Sequence, residues 1–299
     1  MLKFLRGPIL GTIAAVLWVL NTLFWTSFFF VIALLKLVVP NKTWRYACTA
    51  ILDDISSHWM SVNSCFINFF IGVKWEVVGD VQLKMQDWYL VLANHQSWAD
   101  IVVLMQVLNR RIPLLKFFLK KQLIYVPILG FTWWALDYPF MKRYSAKQLS
   151  KKPHLRGKDL ETTRRACEKF KKMPISIMNF VEGTRYTALK YAKQSSAFKF
   201  LLNPRAGGIA NTLQAMGDQL TSIIDVTIVY PAKINSLWQL MCGKIGTIKI
   251  FLRQIPITPQ LIGDYQNDPL FRAKFQEWLN KIWHEKDQLL IEAHDGQLP

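Results

Sequence analysis

Between Gly7 and Leu35 the chain carries no charged residue, and that run limits what the rest can be. A helix needs about 20 apolar residues to cross the hydrocarbon of a bilayer, and this stretch is longer. Lys3 and Arg6 precede it; Lys36, Lys42 and Arg45 follow. A cleaved leader has an apolar segment of about 7–15 residues and a small-residue cleavage site. Here the run is too long and ends in Lys36-Leu37-Val38-Val39-Pro40. The expectation is a retained membrane-anchoring element, either a steeply tilted helix or a hairpin broken around Asn21-Thr22. Basic residues on both flanks leave its orientation undecided by charge. Trp59 to Val73 is a second apolar stretch; its shortness, with Asp53 and Asp54 just ahead of it, predicts an interfacial or core helix. The expected division is an anchor with interfacial helix over 1–72 and a domain with its own core over 73–299.

Beyond the anchor the pattern alternates between strands and helices. Val73–Val78 alternates polar and apolar residues, and Trp88-Tyr89-Leu90-Val91-Leu92-Ala93 is a continuous apolar run of the kind found in strands buried on both faces. Further strands are expected near Leu114–Phe118, Asp137–Met141, Ile175–Val181, Ile223–Tyr230 and Thr247–Leu252. Helices are expected after Asp100, over Lys120–Asp137 with a kink at Pro127 and Gly130, from Asp159 to Lys172, and after Asp268-Pro269. In the last of these Phe271, Phe275, Trp278, Leu279, Ile282 and Trp283 recur at helical spacing, which predicts packing onto a core. The fold class is therefore α/β, with a largely parallel central sheet flanked by helices.

At the seam between the apolar strand and the first of these helices lies Asn94-His95-Gln96-Ser97-Trp98-Ala99-Asp100. An imidazole backed by a carboxylate can take a proton from a hydroxyl. The spacing alone is weak, since chance supplies roughly 0.3 such pairs in this composition. His154 and Asp159 form a second pair, but among Lys151, Lys152 and Arg156 with no apolar frame, and Asp159 suits a helix N-cap. His95 instead sits where open α/β sheets place ligands, at the carboxyl end of a strand. A step of five residues turns roughly 140° around a helix, so both side chains cannot share one helical face. His95 must precede the helix and fold back, with Ser97 as N-cap, Trp98 as first helical residue and Asp100 at the third position. The plainer reading, Asp100 as half of a capping box, is compatible because a carboxylate has two oxygens.

The net charge of +17 excludes little by itself. No zinc-finger spacing or RNA-binding signature accompanies it, so nucleic acid is not an expected partner. With an apolar anchor present, attraction to anionic headgroups is the better use of the charge. Cys48, Cys65, Cys167 and Cys242 show no metal-binding spacing and no CxxC, which suits free thiols in a reducing compartment; no metal is expected.

Two further strand ends carry arginine: Phe140-Met141-Lys142-Arg143 and Phe180-Val181-Glu182-Gly183-Thr184-Arg185. The planar guanidinium suits phosphate, Gly183 lets backbone approach a ligand, and Thr184 offers a hydroxyl. Together with the His95 block and Val229-Tyr230-Pro231, these stretches resemble, in order, the four blocks of the glycerophospholipid acyltransferases, more narrowly the 1-acyl-glycerol-3-phosphate acyltransferases. Lys120-Lys121-Gln122-Leu123 with Pro127 and Gly130, and Asn203-Pro204-Arg205-Ala206-Gly207-Gly208, resemble two more family stretches. The likeness runs from about Trp75 to about Pro231 and is nearest to a bacterial branch related to lysocardiolipin and lysophosphatidylinositol acyltransferases. Val181, Gln122 and Arg205 depart from the usual proline, glutamate and lysine without removing a group the chemistry needs.

The resemblance implies acyl transfer to the free hydroxyl of a lysophospholipid, with 1-acyl-glycerol-3-phosphate first among acceptors. Acyl-CoA or acyl carrier protein is the co-substrate and no cofactor is bound. It implies His95 as base and Asp100 as its orienting partner; Arg143, Arg185 and Lys120 on the acceptor phosphate; Glu182, Gly183 and Thr184 positioning the acceptor, with Glu182 orienting Arg185 or touching glycerol hydroxyls; and Asn94, Ser97 and Pro231 as structural neighbours. Membrane phospholipids are the expected surroundings, at the cytoplasmic side of a bacterial inner membrane. Acylation of another lysophospholipid headgroup, a lysophospholipid hydrolase and a non-catalytic basic membrane protein remain the alternatives.

Overall fold

The computed structural model describes residues 7–141, 158–231 and 236–296. Two antiparallel helices come first, α1 (Gly7–Val38) and α2 (Lys42–Phe66), closed by a wide turn at Ile67–Ile71. Asn41 caps α2 by accepting from the Trp44 amide. α1 is unbroken, so the hairpin expected at Asn21-Thr22 does not form there. Those polar residues clasp α2 instead: Asn21 donates to Asn63 Oδ1 at 2.9 Å and to the Trp59 carbonyl, and the Trp59 indole donates to Thr22 Oγ1. The helix that carries the second apolar stretch begins well before Trp59: α2 starts at Lys42, after the Asn41 cap. Among the described residues only α1 is long and apolar enough to cross a membrane.

The sheet follows in the order β1-β8-β7-β2-β6-β3, with β1 (Lys74–Val78), β2 (Tyr89–Ala93), β3 (Leu115–Phe117), β6 (Ser176–Phe180), β7 (Ser222–Val229) and β8 (Thr247–Pro256). All pairings are parallel except β7 with β8. Among its described residues the segment between those two holds one short helix, α8 (Leu237–Met241), placed at the end where β7 stops, and the chain re-enters the sheet from that end. β2 and β7 are buried throughout, as a continuous apolar run requires, while edge strand β1 is mostly exposed.

Alternation along β2 sorts the core into two faces. Tyr89, Val91 and Ala93 join α3 (Ala99–Leu108) on one side. Leu90 and Leu92 join α5 (Lys158–Phe170), α7 (Gly207–Met216) and α9 (Pro269–His294) on the other. The result is an α/β/α stack with a largely parallel sheet. Asp268 caps α9 by accepting from the Leu270 and Phe271 amides, and Phe275, Leu279, Ile282 and Trp283 are buried as the spacing predicts. α5 already starts at Lys158, so Asp159 lies inside the helix rather than capping it.

The kinked helix expected over Lys120–Asp137 is broken in two and flanked by a short parallel ribbon of β4 (Leu119–Lys120) and β5 (Phe140–Met141), the latter within the strand expected at Asp137–Met141. Between them come a single 3-10 stretch at Lys121–Tyr125 and a seven-residue α4 (Leu129–Ala135). Pro127 and the positive φ of Ile128 separate the pieces. Gly130 is required at their junction, since a Cβ there would lie 2.1 Å from the Ile124 carbonyl oxygen.

Candidate active site

β2 and β6 end together, Ala93 in register with Phe180, while β7, with Val226 opposite Ala93, runs on to Val229. Just past that rim the backbone of β2 leaves the sheet, and Asn94 replaces the lost pairing: its amide donates to the Ile228 carbonyl and accepts from the Ile228 amide, both at 2.9 Å. The substitution holds a strand-like geometry one residue further and aims His95 at the rim.

His95 Nδ1 lies 2.8 Å from Asp100 Oδ2. The same oxygen accepts from the Gln96 and Ser97 amides at 2.6 and 2.8 Å, and Oδ1 accepts from the Tyr230 hydroxyl at 2.7 Å. Asp100 is fully buried with all its contacts donors, and burial followed by the Asp100 charge raises the Tyr230 pKa well above a phenol's usual value. Tyr230 therefore stays protonated and donates. A carboxylate only accepts, so in the neutral imidazole the proton sits on Nδ1 and the lone pair on Nε2. One face of the ring stacks on Phe180, centroids 3.9 Å apart. α3 begins at Ala99, one residue later than expected, while Ser97 Oγ accepts from the Ala99 amide. Asp100 thus orients the imidazole and satisfies the helix entrance at once.

Glu182 is held by backbone rather than by Arg185. Its carboxylate is fully buried and accepts from the backbone amides of His95 (2.7 Å) and Leu202 (3.0 Å), so neither oxygen is turned toward Arg185. It braces the histidine loop against the 199–203 loop, which α9 holds through Asp287 and Trp283. Burial pushes the Glu182 pKa up to about 8 against the pull of the two amides. The unfolded carboxyl titrates near 4.5, so folding takes up a proton between those values. This carboxyl consequently opposes folding more and more as pH rises through that window. Wild-type Tm should fall more steeply from about pH 5 to about pH 8 than that of Glu182→Gln; equal slopes would place the titration elsewhere. The glutamine, with one acceptor for two amides, should also lower stability by about 1–3 kcal/mol.

Gly183 takes φ +68°, and its missing side chain makes room for the Arg205 stem, 3.0 Å from where a Cβ would be. Thr184 Oγ1 accepts from Lys190 Nζ at 2.7 Å, and that ammonium also donates to the Arg185 carbonyl. The exposed Arg185 guanidinium lies 4.7 Å from the centre of the Trp98 ring, itself 55% exposed. Tyr186 donates its amide to the His95 carbonyl, tying this turn to the His95 loop. Lys120 is exposed on β4, which continues beyond the carboxyl end of β3. Arg143 and the second histidine pair's His154 lie outside the described residues. Pro231 ends the segment that delivers Tyr230.

Sequence reasoning did not single out Tyr230, Phe180, Trp98 or Lys190. Tyr230 and Phe180 lay inside quoted blocks, but nothing local marks a tyrosine as the partner of a carboxylate 130 positions away. Among the described residues no group of three or more His, Cys, Asp or Glu side chains is arranged to hold a metal.

A model of a family described as acyltransferase matches residues 74–259, more than half of the chain and all of the site just described. The human 1-acyl-sn-glycerol-3-phosphate acyltransferase gamma is 28% identical over 57% of this chain, and the match spans 43% of that protein. Lysophosphatidylinositol acyltransferase 10 of Caenorhabditis elegans is 26% identical over 99% of this chain and 74% of its own length. Lysocardiolipin acyltransferase 1 of Gallus gallus is 24% identical over 91% of this chain and 70% of its own. The crystal structure of the 1-acyl-sn-glycerophosphate acyltransferase PlsC from Thermotoga maritima shares the fold, with a TM-score of 0.51 and 14% identity over 94% of this chain and 98% of that one. With the family match running through β2, the His95–Asp100 loop and the strand ends around it, the chain belongs to the acyltransferase family.

Proposed function

We propose that this protein is a membrane-associated O-acyltransferase that moves a fatty acyl group from acyl-CoA or acyl carrier protein to the free hydroxyl of 1-acyl-glycerol-3-phosphate. The observation that carries the reading is the His95–Asp100 pair, with Nδ1 engaged and Nε2 free at the sheet's carboxyl rim. Nε2 accepts the hydroxyl proton as the oxygen attacks the thioester carbonyl. The tetrahedral intermediate then expels the thiolate, which takes the proton back from the imidazolium; the products are an ester and a free thiol. Asp100 stabilises the imidazolium between these steps. No nucleophilic serine or cysteine is required, because the acceptor itself is the nucleophile.

Arg185, with Arg143 and Lys120, grips the acceptor phosphate, and Trp98 supports the Arg185 guanidinium from beneath. Arg185→Ala should raise KM for lysophosphatidate roughly tenfold or more with a smaller effect on the donor KM. Monoacylglycerol, which lacks the phosphate, should be insensitive to the change. A larger effect on the donor would remove Arg185 from the acceptor site. The relatives that align over nearly the whole chain are named for lysophosphatidylinositol and lysocardiolipin, which favours a larger phosphate-bearing headgroup as the second reading.

α1 is held to the domain near both ends: Gly11 packs on Cys242 and Trp238, and Lys36 donates to the Ala135 carbonyl. Its outward face exposes Val16, Val19, Leu23, Phe24, Phe28 and Val31. A helix so tied lies along the domain, and we take this face as the one that enters the bilayer. The four cysteines are free, which suits a domain on the reducing side.

A further inference from the structure

Away from the His95 rim, toward the amino-terminal ends of β3 and β6, a cavity of about 240 Å³ lies between the end of α1, the start of α2 and the segment entering β6. Its wall holds five cations, Lys36, Lys42, Arg45, Lys116 and Lys172, and two carboxylates, Asp53 and Asp137. Both carboxylates are engaged: Lys36 Nζ is 2.5 Å from Asp137 and Lys116 Nζ is 3.4 Å from Asp53. These two lysines are buried and also donate to the carbonyls of Ala135 and Leu136. Lys42, Arg45 and Lys172 then have no carboxylate partner among the described residues, although they share one opening. Lys172 lies over the Tyr46 ring at 5.6 Å, which keeps it at the rim. A solvated basic face does not bury two ammonium groups at its back.

The rest of the wall includes Phe170, Met173, Pro174 and Ile175, and α1 ends beside it in the exposed side chains of Leu34, Leu35, Leu37 and Val38. Cations at the mouth of a cavity, with an exposed apolar helix end alongside, match the two halves of a phospholipid. We propose that this cavity binds the phosphate of an anionic membrane phospholipid, at a site separate from the acceptor site at the His95 rim. The choice of a lipid over a soluble phosphate rests on α1 being the membrane face; the cation arrangement does not depend on the catalytic reading.

The test is sedimentation of the full chain with vesicles of equal parts phosphatidylcholine and phosphatidylglycerol. The exposed triple variant Lys42→Ala/Arg45→Ala/Lys172→Ala is compared with a control triple, Lys193→Ala/Lys274→Ala/Lys281→Ala. Each cation at the lipid surface should contribute roughly fivefold, so the cavity triple should lose on the order of 100-fold in partitioning. The control should lose less than about threefold. Equal losses in the two triples, or none in the first, would overturn the site. Saturable calorimetric binding of inorganic phosphate that vanishes in the cavity triple would overturn the lipid assignment. His95→Ala should bind these vesicles like wild type, so a failure of the enzymatic reading leaves this result standing.

Discussion

His95→Ala should lose about 10²–10⁴ of kcat while binding lysophospholipid and vesicles as before. Among the described residues at the rim, no other group is placed to take the proton in its stead. Tyr230 is committed to Asp100, and Glu182 to two backbone amides. The substitution should be structurally mild, because Asp100 keeps the Gln96 and Ser97 amides and the Tyr230 hydroxyl. The ring stacked on Phe180 is lost, which opens room for added imidazole to restore part of the rate. Activity near wild type in this variant would end the general-base assignment.

Asp100→Asn separates orientation from charge. Three donors meet Oδ2 and one meets Oδ1, so asparagine should place its carbonyl oxygen toward His95, Gln96 and Ser97. Its amide can then donate to the Tyr230 oxygen, which both donates and accepts. The loop should keep its shape and the protein most of its Tm. The negative charge that stabilises the imidazolium is gone, however, and kcat should drop by about 10²–10⁴. Asp100→Ala, in contrast, strands several buried donors and should lower stability as well as rate, each orphaned group costing about 1–3 kcal/mol. A fully active Asp100→Asn enzyme would reduce this residue to a helix cap.

The parts of this site that could be read from sequence are those set by local pattern. The apolar run at Tyr89–Ala93 is a central strand because it is buried on both faces, and His95 follows from its carboxyl end. The five-residue step to Asp100 demanded a fold-back before the helix, and the structure has one. What could not be read depends on partners far along the chain. Asn21 looks like a break in an apolar helix until Asn63, 42 positions later, supplies its hydrogen bond. Glu182 looks like a ligand-facing acid in a basic turn, but its 0% exposure is set by the His95 loop and the Leu202 loop together. The kinked helix expected over Lys120–Asp137 forms only as two short pieces, Lys121–Tyr125 and Leu129–Ala135, because the backbone turns at Pro127 and Ile128 more sharply than one kinked helix allows.

The most direct measurement gives the purified protein a labelled oleoyl thioester with no acceptor, with monoacylglycerol, and with lysophosphatidate, lysophosphatidylinositol and lysocardiolipin in turn. Label should enter the fully acylated product of a phosphate-bearing acceptor, above all phosphatidic acid, and should stay on the donor when no acceptor is present. Label released as free fatty acid without acceptor, or carried equally well to monoacylglycerol, would contradict acyl transfer to a phosphate-anchored hydroxyl.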